Sequence, residues 1–257
     1  MQSVLIEKNE HLGVIILNRP QSLNAMNADL VDEFHRALKV LVEDNDVRVI
    51  ILTGAGRAFC AGGDLGYLES LNNDTKRKAF IEQVGKMTLN LRNCSKPVIA
   101  MINGVTAGAG VNLMLACDIV CSVDDAKFIQ SFVNVGLVPD CGGMYLLKET
   151  VGLQKAKELM FTAQAISAKE AEELNMVMHI YDKENLRQET EKIAQKIAKG
   201  APLAITYMKK MLNKSYANLE DFLDEEALVQ TFCLGTNDCQ EGISAFKEKR
   251  NPNFQGK

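Results

Sequence analysis

The chain has 257 residues, 47% of them hydrophobic and 24% charged, with a formal net charge of −4. That is an ordinary globular composition, long enough for one large domain or one domain with an appendage. Acidic and basic residues are interspersed without an aromatic-interleaved basic stripe, which argues against nucleic-acid binding, and no run of about 18 apolar residues suggests a membrane-spanning helix.

In chain order, the first 20 residues read as two short strands with a turn near Glu10 and His11. Asn27 suits the N-cap of an amphipathic helix, ADLVDEFHRALKVLVED, whose Leu30, Phe34, Leu38 and Leu41 form one stripe. VRVIILTG, residues 47–54, is a continuous apolar run, as expected of a strand buried on both faces. A Gly-rich loop, AGRAFCAGGDL, precedes a polar helix over about residues 75–92. KPVIAMING then gives a second buried strand, TAGAGVNLMLACD a short helix apolar all round, and DIVCSV a third strand. This repetition of strand, loop and helix predicts an α/β core with right-handed crossovers. Beyond Gly142 the strand signal is nearly confined to MVMHIYD, and helical periodicity dominates to the C-terminus. The expected organisation is an α/β core over residues 1–200 and a helical region over 201–257. The acidic, apolar-striped helices of that region either dock on a partner subunit or cover their own core.

The candidate chemistry lies in loops. Gly54-Ala-Gly56-Arg-Ala-Phe59 and Gly108-Ala-Gly110-Val-Asn-Leu113 each follow a predicted strand, where α/β sheets place ligands. Phe59 and Leu113 break the dinucleotide fingerprint, and no phosphate-loop motif occurs, so nicotinamide and ATP chemistry lose support. Glycines allow a backbone to approach a ligand and aim its N–H groups at it. The Gly108 loop also opens a helix, where N–H groups are unsatisfied and the dipole favours negative charge. One donor from each loop would make an oxyanion hole; close helix–strand packing is the simpler alternative. Asp140 sits among Phe132, Val135, Leu137 and Val138, a setting that would desolvate its carboxylate and raise its pKa. It could equally N-cap the helix MYLLKETVG. The seven cysteines are odd in number and form no C-x-x-C pair, so reduced cytoplasmic thiols are expected rather than disulfides or a zinc site. The opening residues carry acidic side chains among apolar ones and do not read as an export leader. His11, His35 and His179 are scattered and suit packing or surface roles. The cluster Lys247, Lys249, Arg250 is either a solvated helix end or a handle for the phosphates of a nucleotide-like ligand.

Five segments together resemble the crotonase (enoyl-CoA hydratase/isomerase) superfamily in order and spacing. They are AFCAGGDL (58–65), KPVIAMINGVTAGAGVNLMLACDIV (96–120), AKF (126–128), GLVPDCGG (136–143) and EGISAFKEKRNPNF (241–254). The likeness runs from residue 18 to the C-terminus. It implies the crotonase (ClpP-like) fold of repeated β-β-α units with a helical C-terminal trimerisation region. It also implies a homotrimer or dimer of trimers acting on an acyl-CoA thioester, with no cofactor because CoA belongs to the substrate. By position, the oxyanion donors would be the N–H groups of Gly63 and Ala109. Ala25, Ala61, Gly62, Asp64, Leu65, Gly108, Asn112, Phe132 and Lys249 would contact substrate.

The chain departs from the hydratase pattern at two positions. The glutamates that handle water in typical hydratases fall at Asn112 and Phe132, and neither is acidic here. Asp140 instead occupies the position of the working carboxylate in enoyl-CoA and 1,2-epoxyphenylacetyl-CoA isomerases, the branch that GLVPDCGG and NPNFQGK most resemble. Aromatic-CoA dehalogenases also use that position, but they add a Trp and a histidine within the stretch equivalent to residues 66–95, both missing here. The expectation is an acyl-CoA isomerase that shifts a double bond or rearranges an unsaturated ring through Asp140. The alternatives are a hydratase and a non-catalytic acyl-CoA-binding subunit.

Overall fold

The computed structural model describes residues 2–257. β1 (Val4–Asn9) and β2 (Leu12–Leu17) form an antiparallel hairpin, and α1 (Ala28–Glu43) follows. Three successive turns of chain then each supply a longer strand and a three-residue one: β3 (Val49–Gly54) with β4 (Ala58–Cys60), β5 (Val98–Ile102) with β6 (Val105–Ala107), and β7 (Ile119–Val123) with β8 (Lys127–Ile129). α2 (Leu65–Ser70) and α3 (Asp74–Asn93) follow β4, and α4 (Ala109–Leu115) follows β6. A 3-10 turn at Ser131–Val135, α5 (Gly143–Val151) and α6 (Leu153–Thr162) follow β8. β9 (Ala165–Ser167), α7 (Ala168–Glu173), β10 (His179–Tyr181) and α8 (Leu186–Ala198) complete the α/β portion.

The longer strands form one six-stranded sheet in the order β1-β2-β3-β5-β7-β10, parallel from β2 onward. The short strands form a second sheet, β4-β6-β8-β9, parallel except at β9. The continuous apolar runs of β3 and β5 are buried along their whole length, as crossover helices on both faces of a parallel sheet require. α1 packs Leu30, Phe34, Leu38 and Leu41 against the core, and α3 adds Phe80, Val84, Met87 and Leu91. Asn27 caps α1 as expected, accepting from the Leu30 N–H at 3.1 Å.

Hydrophobic periodicity does not reveal the second sheet. AGRAFCAGGDL, taken as loop, contains β4, and the start of TAGAG is the end of β6. Three residues are too few for a period of two to register against a Gly-rich background.

From Pro202 the chain is helical: α9 (Pro202–Asn213), α10 (Leu219–Leu234) and α11 (Asn237–Glu248). Lys209 on α9 is buried and donates to Asp118 Oδ2 at 2.7 Å and to the Lys96 carbonyl at 2.9 Å, tying the helix to the core. α10 has no buried residue, and its Leu219, Leu223, Leu228 and Phe232 face solvent in the single chain. Among the described residues, no helix is long and apolar enough to cross a membrane.

One buried side chain joins the segment between β2 and α1 to the β3–β4 turn. Asn24 is fully buried in the left-handed conformation, which Asn adopts more readily than most residues. Its Nδ2 donates to the carbonyls of Ala55 at 2.9 Å and Ala58 at 2.8 Å, while Oδ1 accepts from the Arg19 N–H at 2.9 Å. Asn24→Ala would remove the partners of the Arg19 N–H and the Ala55 carbonyl, while the Ala58 carbonyl would keep Asn103 Nδ2 at 3.2 Å. It is expected to lower the unfolding free energy by about 1–3 kcal/mol, read as a shifted urea midpoint.

Candidate active site

Parallel pairing of β4, β6 and β8 brings the loops at their C-terminal ends side by side: Ala61–Gly63, Gly108–Ala109 and Ser131–Phe132. The first two are in backbone contact. A Cβ built on Gly62 would lie 3.0 Å from the Ala107 carbonyl oxygen and 3.3 Å from the Ala109 nitrogen, and its φ is +96°, so glycine is required there twice over. These loops floor a cleft of about 670 Å³.

The cleft brings together most of the residues singled out from the sequence. Gly63, Ala109 and Asp140 line it, with Ala25, Ala61, Gly62, Asp64, Leu65, Gly108 and Phe132 around them. Neither the Gly63 N–H nor the Ala109 N–H has an acceptor among the described residues. Ala109 is the first residue of α4, where no intrahelical partner exists.

Two of the expected substrate contacts lie outside this chain's cleft. Asn112 does not line the cleft; it is fully buried behind it, its amide bonded to protein groups on both sides. Its helix turns the side chain toward the Asp140 loop rather than toward ligand space. Lys249 ends α11 in the left-handed conformation and does not line this chain's cleft. Its neighbour Arg250 is consumed by ion pairs with Glu241 and Glu248.

The sequence did not single out several lining residues. Leu68, Leu71 and Ile81 extend the apolar wall, and Ser131, Asn134 and Arg77 add polar groups. α3 carries only a weak apolar stripe, so nothing in its pattern marks Arg77 or Ile81 as facing a ligand.

The two carboxylates of the cleft are in opposite states. Asp64 N-caps α2, accepting from the Tyr67 N–H at 3.1 Å, and pairs with Arg19 Nη2 at 2.9 Å. Burial alone would raise its pKa, but these partners hold it below the ordinary value. Asp140 has no such partners. Its Oδ1 is shut off from water and accepts no hydrogen bond, and the expected alternative role as a helix cap falls to Gly142. Burial pushes its pKa up to about 6, with its own backbone N–H opposing only in part. The nearby thiols of Cys60 and Cys141 are pushed up to about 12 by burial and stay neutral. Asp140 thus changes its protonation state nearer to neutrality than an ordinary carboxylate does.

This geometry has counterparts in known proteins. Residues 7–257 match the family Enoyl-CoA hydratase/isomerase. The chain belongs to that family. A probable mitochondrial enoyl-CoA hydratase of Dictyostelium discoideum is 36% identical, covering 98% of this chain and 90% of its own. The 1,2-epoxyphenylacetyl-CoA isomerase of Escherichia coli is 35% identical over the full length of both. The crystal structure of an enoyl-CoA hydratase from Bacillus anthracis superposes with a TM-score of 0.96 at 32% identity, again over both whole chains. The fold is therefore that of the crotonases, and the relatives divide between hydratases and isomerases.

The state of Asp140 has a consequence for stability. Its folded pKa of about 6 lies above the ordinary 3.8, so between those values the folded protein binds more protons than the unfolded chain. Stability must fall as pH rises through that window, and above it the protein carries the cost of a buried charge. Asp140→Asn, which cannot ionise, is expected to be more stable than the parent near neutral pH by on the order of 1–3 kcal/mol, the gain vanishing once pH drops below the unfolded pKa. Urea unfolding at a series of pH values checks this.

Proposed function

We propose that this family member is an acyl-CoA isomerase that shifts a double bond or rearranges an unsaturated ring. The observation that carries the reading is the state of Asp140: one half-buried, unpaired carboxylate in the cleft, its Oδ1 shut off from water, with Asp64 committed elsewhere. A single carboxylate suffices for isomerisation. It removes a proton from a carbon near the thioester, becomes the acid, and returns the proton to another carbon. Hydration, in contrast, needs water to be activated and delivered. The positions that would supply that pair of carboxylates hold Phe132, an apolar wall, and Asn112, which is out of reach of the cleft.

In this reading the free N–H groups of Gly63 and Ala109 donate to the thioester oxygen as charge develops on it. Such a donor is worth about 10²–10³ in rate. Since the N–H of Ala109 acts rather than its side chain, Ala109→Gly should keep substantial activity. Ala109→Pro removes the donor at a first-turn position that tolerates proline, and turnover should fall steeply in a folded protein.

The reading includes a CoA thioester as the only small-molecule partner, without metal or nicotinamide. Among the described residues no three His, Cys, Asp or Glu side chains gather as a metal site. Activity should survive dialysis against EDTA; loss that a divalent ion restores would count against it. It also includes assembly as a homotrimer or dimer of trimers, which would cover the exposed apolar residues of α10 and bring Lys249 toward a neighbouring cleft.

The deciding assay offers 2-enoyl-, 3-enoyl- and ring-epoxide CoA esters to the parent protein and to Asp140→Asn. Isomerisation should fall by about 10²–10⁴ in the variant, with CoA-ester binding retained. Rapid hydration of crotonyl-CoA by the parent, no action on the 3-enoyl ester and a fully active Asp140→Asn would identify the hydratase named among its relatives.

A further inference from the structure

Asp140 leads into a short segment whose backbone is held from two sides. The Asp140 carbonyl accepts from Asn112 Nδ2 at 2.9 Å and from the Gly143 N–H at 2.9 Å. The Cys141 carbonyl, on a residue in the left-handed conformation, accepts from Thr88 Oγ1 of α3 at 2.8 Å. The orientation of the Asn112 amide is fixed by chemistry. A backbone carbonyl can only accept, so the NH₂ end must face Asp140, and the oxygen end then receives Gln130 Nε2 at 2.8 Å. Both amides are buried. The fit is close: a Cβ on Gly143 would lie 2.2 Å from Asn112 Nδ2 and Cγ, so glycine at 143 makes room for this amide.

The arrangement grips the main chain of the catalytic segment and leaves its carboxylate alone. A donor placed on the carboxylate would stabilise the ionised form and weaken the base. A donor on the adjacent carbonyl fixes the segment without that effect. Resting on the reading of Asp140 as the proton carrier, we propose that Asn112, oriented by Gln130, is a positioning residue for Asp140, and that Thr88 performs the same task from the opposite side.

The test is a double-mutant cycle on the full-length protein, with isomerisation of a 3-enoyl-CoA as the rate and butyryl-CoA as the binding probe. Asn112→Ala is expected to cost about 10- to 10²-fold in kcat, the scale of an ångström-sized misplacement, with the Kd for butyryl-CoA within about twofold of the parent. Its pH–rate profile should move down from the base pKa of about 6 as the loosened carboxylate reaches water. In an Asp140→Asn background the same substitution should cost almost nothing further, because Asn112 acts only through Asp140. Equal losses in both backgrounds, or a rate loss with an unshifted profile and weakened butyryl-CoA binding, would overturn the proposal. An impaired Asp140→Asn beside a fully active Asn112→Ala would sink the positioning role alone, whereas a fully active Asp140→Asn would sink the underlying reading. If circular dichroism shows that Asn112→Ala does not fold, Thr88→Val takes its place in the cycle under the same outcomes, with recovery in Thr88→Ser expected because the hydroxyl returns.

Discussion

Everything in this cleft hangs on how closely α4 can approach β4. A Cβ on Gly110 would sit 2.2 Å from the Cys60 carbonyl oxygen, so the helix start and the strand end meet backbone to backbone. That contact sets where the Ala109 N–H lies relative to Gly63, and one turn later where Asn112 lies relative to Asp140. Even one methyl group at Gly110 would move the Ala109 N–H and the Asn112 amide together. The Gly62–Gly63 and Gly108–Ala109 loops and the Asp140 segment are therefore not independent parts; they share one helix.

The two carboxylates that line the cleft show how the site handles charge. Fully buried ionised groups are costly unless paired. Asp64 is paired with Arg19, and Asp140 is left bare at the edge of the apolar wall, where burial raises its pKa. With Phe132 at the wall and Asn112 behind it, no second carboxylate competes for the proton, so the charge state of the site follows a single group.

Much of this was legible in the sequence, for physical reasons that can be named. Continuous apolar runs announced β3, β5 and β7, and the Leu30–Leu41 stripe with Asn27 ahead of it announced α1. The Gly-rich loop opening at Gly108 marked one wall of the cleft, the family resemblance singled out Gly63 and Ala109, and the apolar residues near Asp140 foretold its desolvation. The second sheet was not legible, because its strands are three residues long and rich in small side chains; the family resemblance implied it where periodicity did not. The direction of the Asn112 side chain was hidden too. A residue on an all-apolar helix can face ligand or core, and only the seat left by Gly143 decides which. Thr88 and Gln130 lie in segments with no motif, and their value arises from contacts distant in sequence.

The short sheet also bears on how the protein reaches its working state. Each pairing in β4-β6-β8-β9 joins strands separated by at least one helix, and each strand offers only a few hydrogen bonds in return for closing that loop. Local helices and the β1–β2 hairpin have no such entropy to overcome, so the small sheet belongs among the late events of folding. The loops that floor the cleft follow its strands, so they take their places only once it has formed. A chain caught partway, with most of its helix content in place, would hold no assembled cleft.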